Sequence, residues 1–464
     1  MKTYSNSLMI FRQDLRVIDN IALYKAVMNS ESVHLAFILD TDVLDHFPDD
    51  DQRLHFQADA LTRLSADIAK LWGILHIYHG KASEITKQLI DTYAYDAVFW
   101  NRSHGAWSET RDVYIEEYCE QKGVKAHAYI DYLLLDPQEV KPMKVYTPYY
   151  NRWIPKVREK YASYELKNIE SIVSFVPDVQ LDTEMDLDKL YILCGWKSHT
   201  HWPIQDVRQK LDSMTMYDYD TTRNFPADTD GVTKLSPYHK FGILSIREIY
   251  LHFADRTDEW AVVIVKELWR REFWNSIAYH FRDEFVEKEF QAKRRGIIRQ
   301  NDIKKLEARK KWETGYPIVD AAMKQLLETN RMHNRVRMVV ASFLTKDLLI
   351  DWRYGEEHFK NYLLDYDRNI NIGNRQRSSS TWADPKPLRI FNPILQSWRY
   401  DPQADYIYTR IPELRWKNLK AIHDPIKYEL NWYIAPIVDH YVERLKAKEM
   451  YNNAKARFLW ESQE

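Results

Sequence analysis

The sequence predicts an α/β domain followed by an all-α domain: a doubly wound, Rossmann-like parallel sheet, then helices onward. Three observations point there. Short apolar runs at residues 7–11 (SLMIF), 33–39 (VHLAFIL), 74–78 (ILHIY), 96–100 (DAVFW) and 126–130 (AHAYI) alternate with helical patterns such as 54–72 (LHFQADALTRLSADIAKLW), the rhythm of strands joined by crossover helices. From 131 to 200 the text becomes proline-punctuated and polar, which reads as an interdomain connection. Beyond 200 amphipathic helices succeed one another. The expected division is 1–130, a linker at 131–200, and a helical domain at 201–464. In such sheets a ligand binds beyond the carboxyl ends of the strands.

Composition narrows the function. The chain of 464 residues carries 66 basic and 68 acidic residues, a formal charge of -2. That excludes a globally basic nucleic-acid binder, so any polyanion must be held by a local patch. Cys119 and Cys194 stand far apart without a CxxC spacing, which argues against a disulfide framework and a cysteine zinc site, and fits a reducing cytoplasm. No metal is expected. The opening MKTYSNSLMIF lacks a signal-peptide core, and no run approaches the roughly 20 apolar residues of a membrane span. Aromatics make up 14%, with 16 Trp and 31 Tyr; most should be core, although such rings also serve stacking and electron transfer.

Several stretches carry polar residues where a simple core would not. FRQDLRVIDNIAL (11–23) sets Arg12, Asp14, Arg16, Asp19 and Asn20 after the first strand; a salt-bridged loop is the plain explanation, a functional loop the other. In TKLSPYHKFGILSIR (233–247), Thr233 and Ser236 can cap a helix or hold a phosphate at its positive end, with Tyr219 and Arg223 upstream. KELWRREFWNSIAYHF (266–281) puts Glu267 and Arg271 at i, i+4, ordinarily a surface ion pair. Within HNRVRMVVASFLTKDLLIDW (333–352), Val336, Val339, Val340, Phe343, Leu344 and Leu348 form a helical apolar stripe, yet Arg337 sits beside it. An unpaired buried guanidinium would cost several kcal/mol. Its partner is therefore sought in the loop YLLDYDRNINIGNRQR (362–377), where both could surround a polar ligand.

These motifs resemble the cryptochrome/photolyase family over nearly the whole chain, in wording most like microbial cyclobutane pyrimidine dimer photolyases. The resemblance rests on FRQDLR…DN, YTPYY (146–150), TKLSPYHKFGILSIR, ELWRREF, TGYPIVDAAM, MHNRVRMVVASFLTKDLLIDW, DYDRNIN, DPKPLRIFNP and YIYTRIPEL (406–414). It implies an N-terminal domain that can hold an antenna chromophore of folate or deazaflavin type, and a helical domain that binds FAD. Tyr219, Thr233, Leu235 and Ser236 would contact the FAD phosphates and ribose. Asn334, Arg337, Asp365, Asp367 and Asn371 would surround the isoalloxazine, with Arg337 and Asp365 paired. Glu267 would hydrogen-bond a pyrimidine dimer and Met338 would pack against it, while Asn371 would tune reduced flavin. The implied reaction is light-driven electron transfer from reduced FAD to the dimer, flipped out of damaged DNA. The protein would act as a monomer.

The chain departs from the family at four places, each time from Trp to Arg: Arg270, Arg331, Arg375 and Arg377. Arg270, Arg271, Arg375 and Arg377 would line the substrate pocket. Trp352 keeps the middle place of the family's tryptophan relay, but Arg375 interrupts it, so flavin photoreduction should be slow or rerouted through Trp382 or Trp398. Losing aromatic walls removes stacking worth about 1–3 kcal/mol per base, whereas guanidinium planes favour a more anionic ligand. NRSHGAW (101–107) lacks the acidic residue of many folate-binding members. Basic runs at 293–295 and 309–311 can meet DNA phosphates, although a solvated face explains such runs more often. The other reading is a cryptochrome-like light or redox sensor, or a member with an altered ligand that does not repair dimers.

Overall fold

The computed structural model describes residues 2–45, 51–103, 105–193, 204, 207–216, 218–254, 256–383, 388–428 and 433–461. Cys194 lies outside them. They fall into two compact units, one of 1–142, 147–215 and 234–275, the other of 143–146, 216–233 and 276–464.

The first unit is built on a six-stranded sheet, β1 (Tyr4–Phe11), β2 (Ser30–Asp40), β3 (Leu75–Gly80), β4 (Ala97–Asn101), β5 (Lys125–Tyr129) and β6 (Glu184–Met185), in the order β5-β4-β1-β2-β3-β6. The first five strands are parallel neighbours; Leu8 of β1 pairs with His34 on one side and Val98 on the other. The centres of β1 and β2 are buried without alternation and β4 is buried throughout, whereas no residue of the edge strand β5 is fully buried. Helices cover both faces of such a sheet, so the strands read as continuous apolar runs. The chain reverses direction between β1 and β4, where ligands bind in open α/β sheets.

Polar residues organise that switch point. The Asp14 carboxylate accepts from the Arg12 backbone N–H at 2.5 Å and from the amide of Asn101 at 2.6 Å. Asn20 also donates to Asp14, and its side-chain oxygen caps the helix Ile21–Asn29 through Leu23 N–H at 3.1 Å. The FRQDLR loop is thus a knot tying the ends of β1 and β4 to a helix start.

Two boundaries differ from the sequence expectation. The stretch 131–200 was expected as a linker, yet it contains the helix Tyr146–Tyr161 and β6, which pairs antiparallel with β3 through Ile77 and Met185. Its backbone also binds the sheet, with Phe175 N–H donating to Val33 C=O at 3.1 Å. Residues 234–275, expected with the helical domain, belong to the α/β unit. The cause is charge burial. Arg247 donates to Asp19 at 2.6 Å and to Asp131 at 2.5 Å, while Arg16 meets Asp131 at 2.6 Å. Burial opposes ionisation of Asp131, but the charges of Arg16 and Arg247 outweigh it and hold the carboxyl below its usual range. Nearby, Gly242 has φ +70°, and a Cβ there would sit 2.1 Å from the Gln13 carbonyl oxygen; only glycine fits.

The second unit is helical. Its core joins Val319, Met323 and Leu326 of the helix Pro317–Thr329 to Val336, Val339 and Val340 of the helix Asn334–Ser342, with Phe343, Leu344, Ile407 and Ile411 packed around them. Proline opens the first helix, where its missing N–H costs nothing, and left-handed Asn330 closes it. Asp320 staples that helix to the preceding turn, accepting from Thr314 N–H (2.9 Å), Thr314 hydroxyl (2.6 Å), Gly315 N–H (3.0 Å) and Tyr433 hydroxyl (2.8 Å). The apolar stripe at 336–350 is not one α-helix: after Ser342 it becomes a π-helical turn, Phe343–Asp347. That turn tucks Lys346 inward to the Ser378 carbonyl at 2.5 Å, and π-turns are commonly functional. Among the described residues no helix is long and apolar enough to cross a membrane.

Candidate functional site

Arg337 and its expected partner do meet. From the helix Asn334–Ser342, its Nη2 donates to both Asp365 carboxylate oxygens at 3.0 Å and its Nε to the Met332 carbonyl at 2.6 Å. Both side chains are largely buried, 21% and 13% exposed, so the pair works in a less screened medium than a surface bridge. The turn that delivers Asp365 also starts the next helix: Asp367 caps Arg368–Ser379 by accepting from Ile370 N–H at 3.1 Å. His333 performs the same service for Asn334–Ser342, accepting from Arg335 N–H at 3.2 Å. To accept, its imidazole must be neutral. Burial, followed by the charges of Arg331, Arg337 and Arg335, pushes it down to about 3.

Asn371 lies one turn into the helix Arg368–Ser379, and its amide donates to Glu356 Oε1 at 3.3 Å; Glu356 also takes the Tyr366 hydroxyl at 2.5 Å. One turn further on, the Arg375 guanidinium lies 4.2 Å from the centroid of Phe359, with Nη1 3.4 Å from the Arg337 carbonyl. Arg377 lies over the Tyr146 ring at 5.1 Å. Met338 is half-buried and Asn334 is exposed. Trp352 is 2% exposed at the start of the helix Trp352–Tyr362, with the Arg353 guanidinium 4.7 Å from its ring. Trp382 stacks on Phe290 at 4.2 Å, whereas Trp398 is 37% exposed beside His423. Tyr219 is buried, with Arg223 5.7 Å from its ring, and Thr233 is half-buried.

The remaining candidates belong to the first unit. Leu235, not a hydroxyl residue, takes the cap position of the five-residue helix Ser236–Lys240, and Lys234 before it is left-handed. The capping expected of Thr233 and Ser236 is therefore absent at that position, and Ser236 is exposed. Glu267 and Arg271 each meet a neighbour other than the i, i+4 partner the spacing offers. Glu267 bonds to Arg270 instead, at i, i+3. Arg271 is drawn away onto Tyr132, 3.7 Å from its centroid, and lies 3.5 Å from Glu272. Burial pushes the Glu272 carboxyl up to about 7, against the Arg271 charge and the backbone donors of Leu134 and Leu135. Sequence reasoning also missed Glu356, which orients Asn371; its only signal is a carboxylate one turn into a buried helix.

The donor set of the second unit suits a polar, partly anionic ring system: a paired guanidinium and carboxylate, a fixed amide, and excess positive charge. Among the described residues no cluster could hold a metal ion. The profile of the FAD binding domain of DNA photolyase matches residues 264–453, and the DNA photolyase profile matches residues 7–166. Together with the geometry this defines the class, a flavoprotein with an α/β unit and a helical FAD-binding unit. The chain belongs to the cryptochrome/photolyase family. A deoxyribodipyrimidine photo-lyase of Synechococcus is 34% identical, covering 96% of both chains, and that of Vibrio cholerae is 32% identical over 96% of this chain and 99% of its own. An archaeal photolyase from Sulfolobus tokodaii, solved with two FAD molecules, superposes with a TM-score of 0.84 at 30% identity, covering 97% and 100%. A bacterial class III photolyase from Agrobacterium tumefaciens gives 0.84 at 30%, covering 98% of each chain.

Proposed function

We propose that this protein is an FAD-dependent, blue-light photolyase that splits pyrimidine dimers in damaged DNA, acting as a monomer in the cytoplasm. The observation that carries the reading is the Arg337–Asp365 pair, drawn together across 28 residues of sequence within the unit that matches the FAD binding domain. Bound FAD, in its reduced and photoexcited form, supplies the electron that opens the cyclobutane ring. The chain's own residues bind, orient and tune. Asn334, Arg337, Asp365, Asp367 and Asn371 hold the isoalloxazine; Tyr219, Thr233, Leu235 and Ser236 hold the phosphates and ribose. Glu356 fixes the Asn371 amide so that one group always faces the ring, which preorganises it. Glu267 hydrogen-bonds the flipped dimer, Met338 packs against it, and Arg270, Arg271, Arg375 and Arg377 line its surroundings.

A second reading is favoured by one observation: Glu267 is already engaged by Arg270, so the acid that should meet the lesion is neutralised within the chain. A cryptochrome-like sensor, or a member with a more anionic ligand, would suit that pocket. One assay separates the two. Chemically reduced protein is illuminated with dimer-containing single- and double-stranded DNA, and recovery of thymine absorbance is followed. Chemical reduction bypasses the interrupted relay, so the photolyase reading expects recovery; none in either substrate would reject it in favour of the second.

A further inference from the structure

Three consecutive residues in the turn between the helices Trp352–Tyr362 and Arg368–Ser379 serve three different partners. Asp365 takes Arg337, and Asp367 caps the second helix. Between them Tyr366, half-buried, donates its hydroxyl to Glu356 Oε1 at 2.5 Å. The same oxygen receives the Asn371 amide at 3.3 Å, and the Glu356 carbonyl lies 3.4 Å from that amide nitrogen. Glu356 sits one turn into the first helix and Asn371 one turn into the second, and the two helices pack against one another. One carboxylate oxygen therefore joins a phenol to an amide across this contact.

The chemistry fixes which end of the amide is which. An ionised carboxylate and a carbonyl only accept, so Asn371 must turn its NH2 to Glu356, and its Oδ1 is the end left to meet a ligand. The two ends of an amide are nearly equal in size, so sterics alone do not choose between them; the direction of Glu356 does. Glu356 is a long side chain with several rotamers, which a 3.3 Å contact to a neutral amide holds weakly. The short bond from Tyr366, of the length usual for a hydroxyl on an ionised acceptor, is the stronger constraint. Burial, then the Glu356 charge, pushes the phenol above its usual range, so it remains a donor.

We propose that Tyr366 is a positioning residue of the flavin site: it locks Glu356, and through it the Asn371 amide, with the amide oxygen toward the ring. This rests on the reading above in which Asn371 faces the isoalloxazine. One ring nitrogen of a flavin carries hydrogen only in the reduced state, as a donor, and offers a lone pair in the oxidised state, as an acceptor; hydrogen bonds there tune the cofactor. A fixed oxygen suits the donor and opposes the lone pair, so the lock favours reduced FAD. Without the hydroxyl the amide turns in either sense, offers NH2 to the oxidised ring, and the preference shrinks.

The test reads the flavin midpoint potential of the full-length holoprotein, by equilibration with a reference dye in the dark. Tyr366→Phe keeps the ring and should retain FAD, but should shift the reduced-to-oxidised ratio about tenfold toward oxidised at a fixed poise, the weight of one hydrogen bond, or about 30 mV for a two-electron couple. Glu356→Gln should shift it in the same direction, and Tyr366→Phe placed on that background should add nothing. An unchanged potential in Tyr366→Phe, or an equal further shift on the Glu356→Gln background, would overturn the role of Tyr366. Should Tyr366→Phe not fold, an unchanged potential in Glu356→Gln overturns it in its place. Asn371→Ala separates this failure from that of the underlying reading. A potential lowered by Asn371→Ala but not by Tyr366→Phe rejects the lock alone, whereas one unmoved by Asn371→Ala rejects both, since Asn371 then does not face the ring.

Discussion

Arg16 and Arg247 of the first unit are closed by carboxylates, as is Arg299 of the second, but among the described residues Arg309 of the second is not. In the first, Arg16 and Arg247 meet Asp19 and Asp131 at 2.5–2.6 Å, with every partner nearly sealed from solvent. In the second, Arg309 is equally deep, but its guanidinium nitrogens have no hydrogen-bond partner among the described residues, while Arg337 meets Asp365 at 3.0 Å. Closed charge pairs fix how loops dock, because a buried cation is costly unless a carboxylate goes into the interior with it, and removing either partner leaves the other exposed to that cost.

The largest effect should come from opening a closed pair. Arg247→Met leaves Asp19 and Asp131 buried without their shared cation and should destabilise the protein by about 3–5 kcal/mol, read as a fall in the urea midpoint; a loss below 1 kcal/mol would show that the pairs are not what holds residues 234–275 to the sheet. Next is the surplus on the helix Arg368–Ser379. Arg377→Trp should tighten binding of dimer-containing DNA by about 1–3 kcal/mol, the value of one stacked base, while unchanged affinity would mean that the arginine serves a different ligand.

Lys346 stands between the two cases, a buried cation satisfied by neutral oxygens of Ser378 and Ser380. Burial, opposed by the Asp347 charge, lowers it from 10.5 to about 7. With the folded value depressed, the unfolded chain binds more protons between pH 7 and 10.5, so stability should rise with pH across that window, by at most about 1.4 kcal/mol per pH unit. Lys346→Met should remove this slope; identical pH dependence in both proteins would show that Lys346 does not titrate there. The smallest change expected is Asp302→Ala. Asp302 caps the helix that carries Arg309, accepting from Lys304 N–H at 2.9 Å, and its loss should cost about 1 kcal/mol in thermal melts; no change in melting would show that the cap contributes nothing.

Much of this was legible in the chain. The five parallel strands announce themselves as apolar runs within a few residues of their true ends, because both faces of the sheet are covered and no polar alternation breaks them. That Arg337 needs an acid from 362–377 was also readable, since a cation beside an apolar stripe demands one; the family resemblance is what singled out Asp365. What stayed hidden depended on geometry beyond periodicity. A helix allows both i+3 and i+4 partners, and Tyr132, far off in sequence, took Arg271 and left Arg270 to Glu267. Arg309 read as part of a solvated basic run, because neighbouring lysines disguise a face that turns inward. The segment 131–200 looked like a linker because its prolines and polar residues mask isolated apolar contacts: Leu181 and Phe175 pack with Leu8 and Ile10 without any repeat that marks them.

The central claim is that the Arg337–Asp365 pair holds the flavin, and flavin content after purification tests it most directly. Wild type should retain near-stoichiometric FAD. Arg337→Ala, with its helical circular dichroism intact, should lose most of it, since hydrogen bonds to a charged group are worth about 1.5–3 kcal/mol. A folded Arg337→Ala protein that keeps its full complement of FAD would contradict the account.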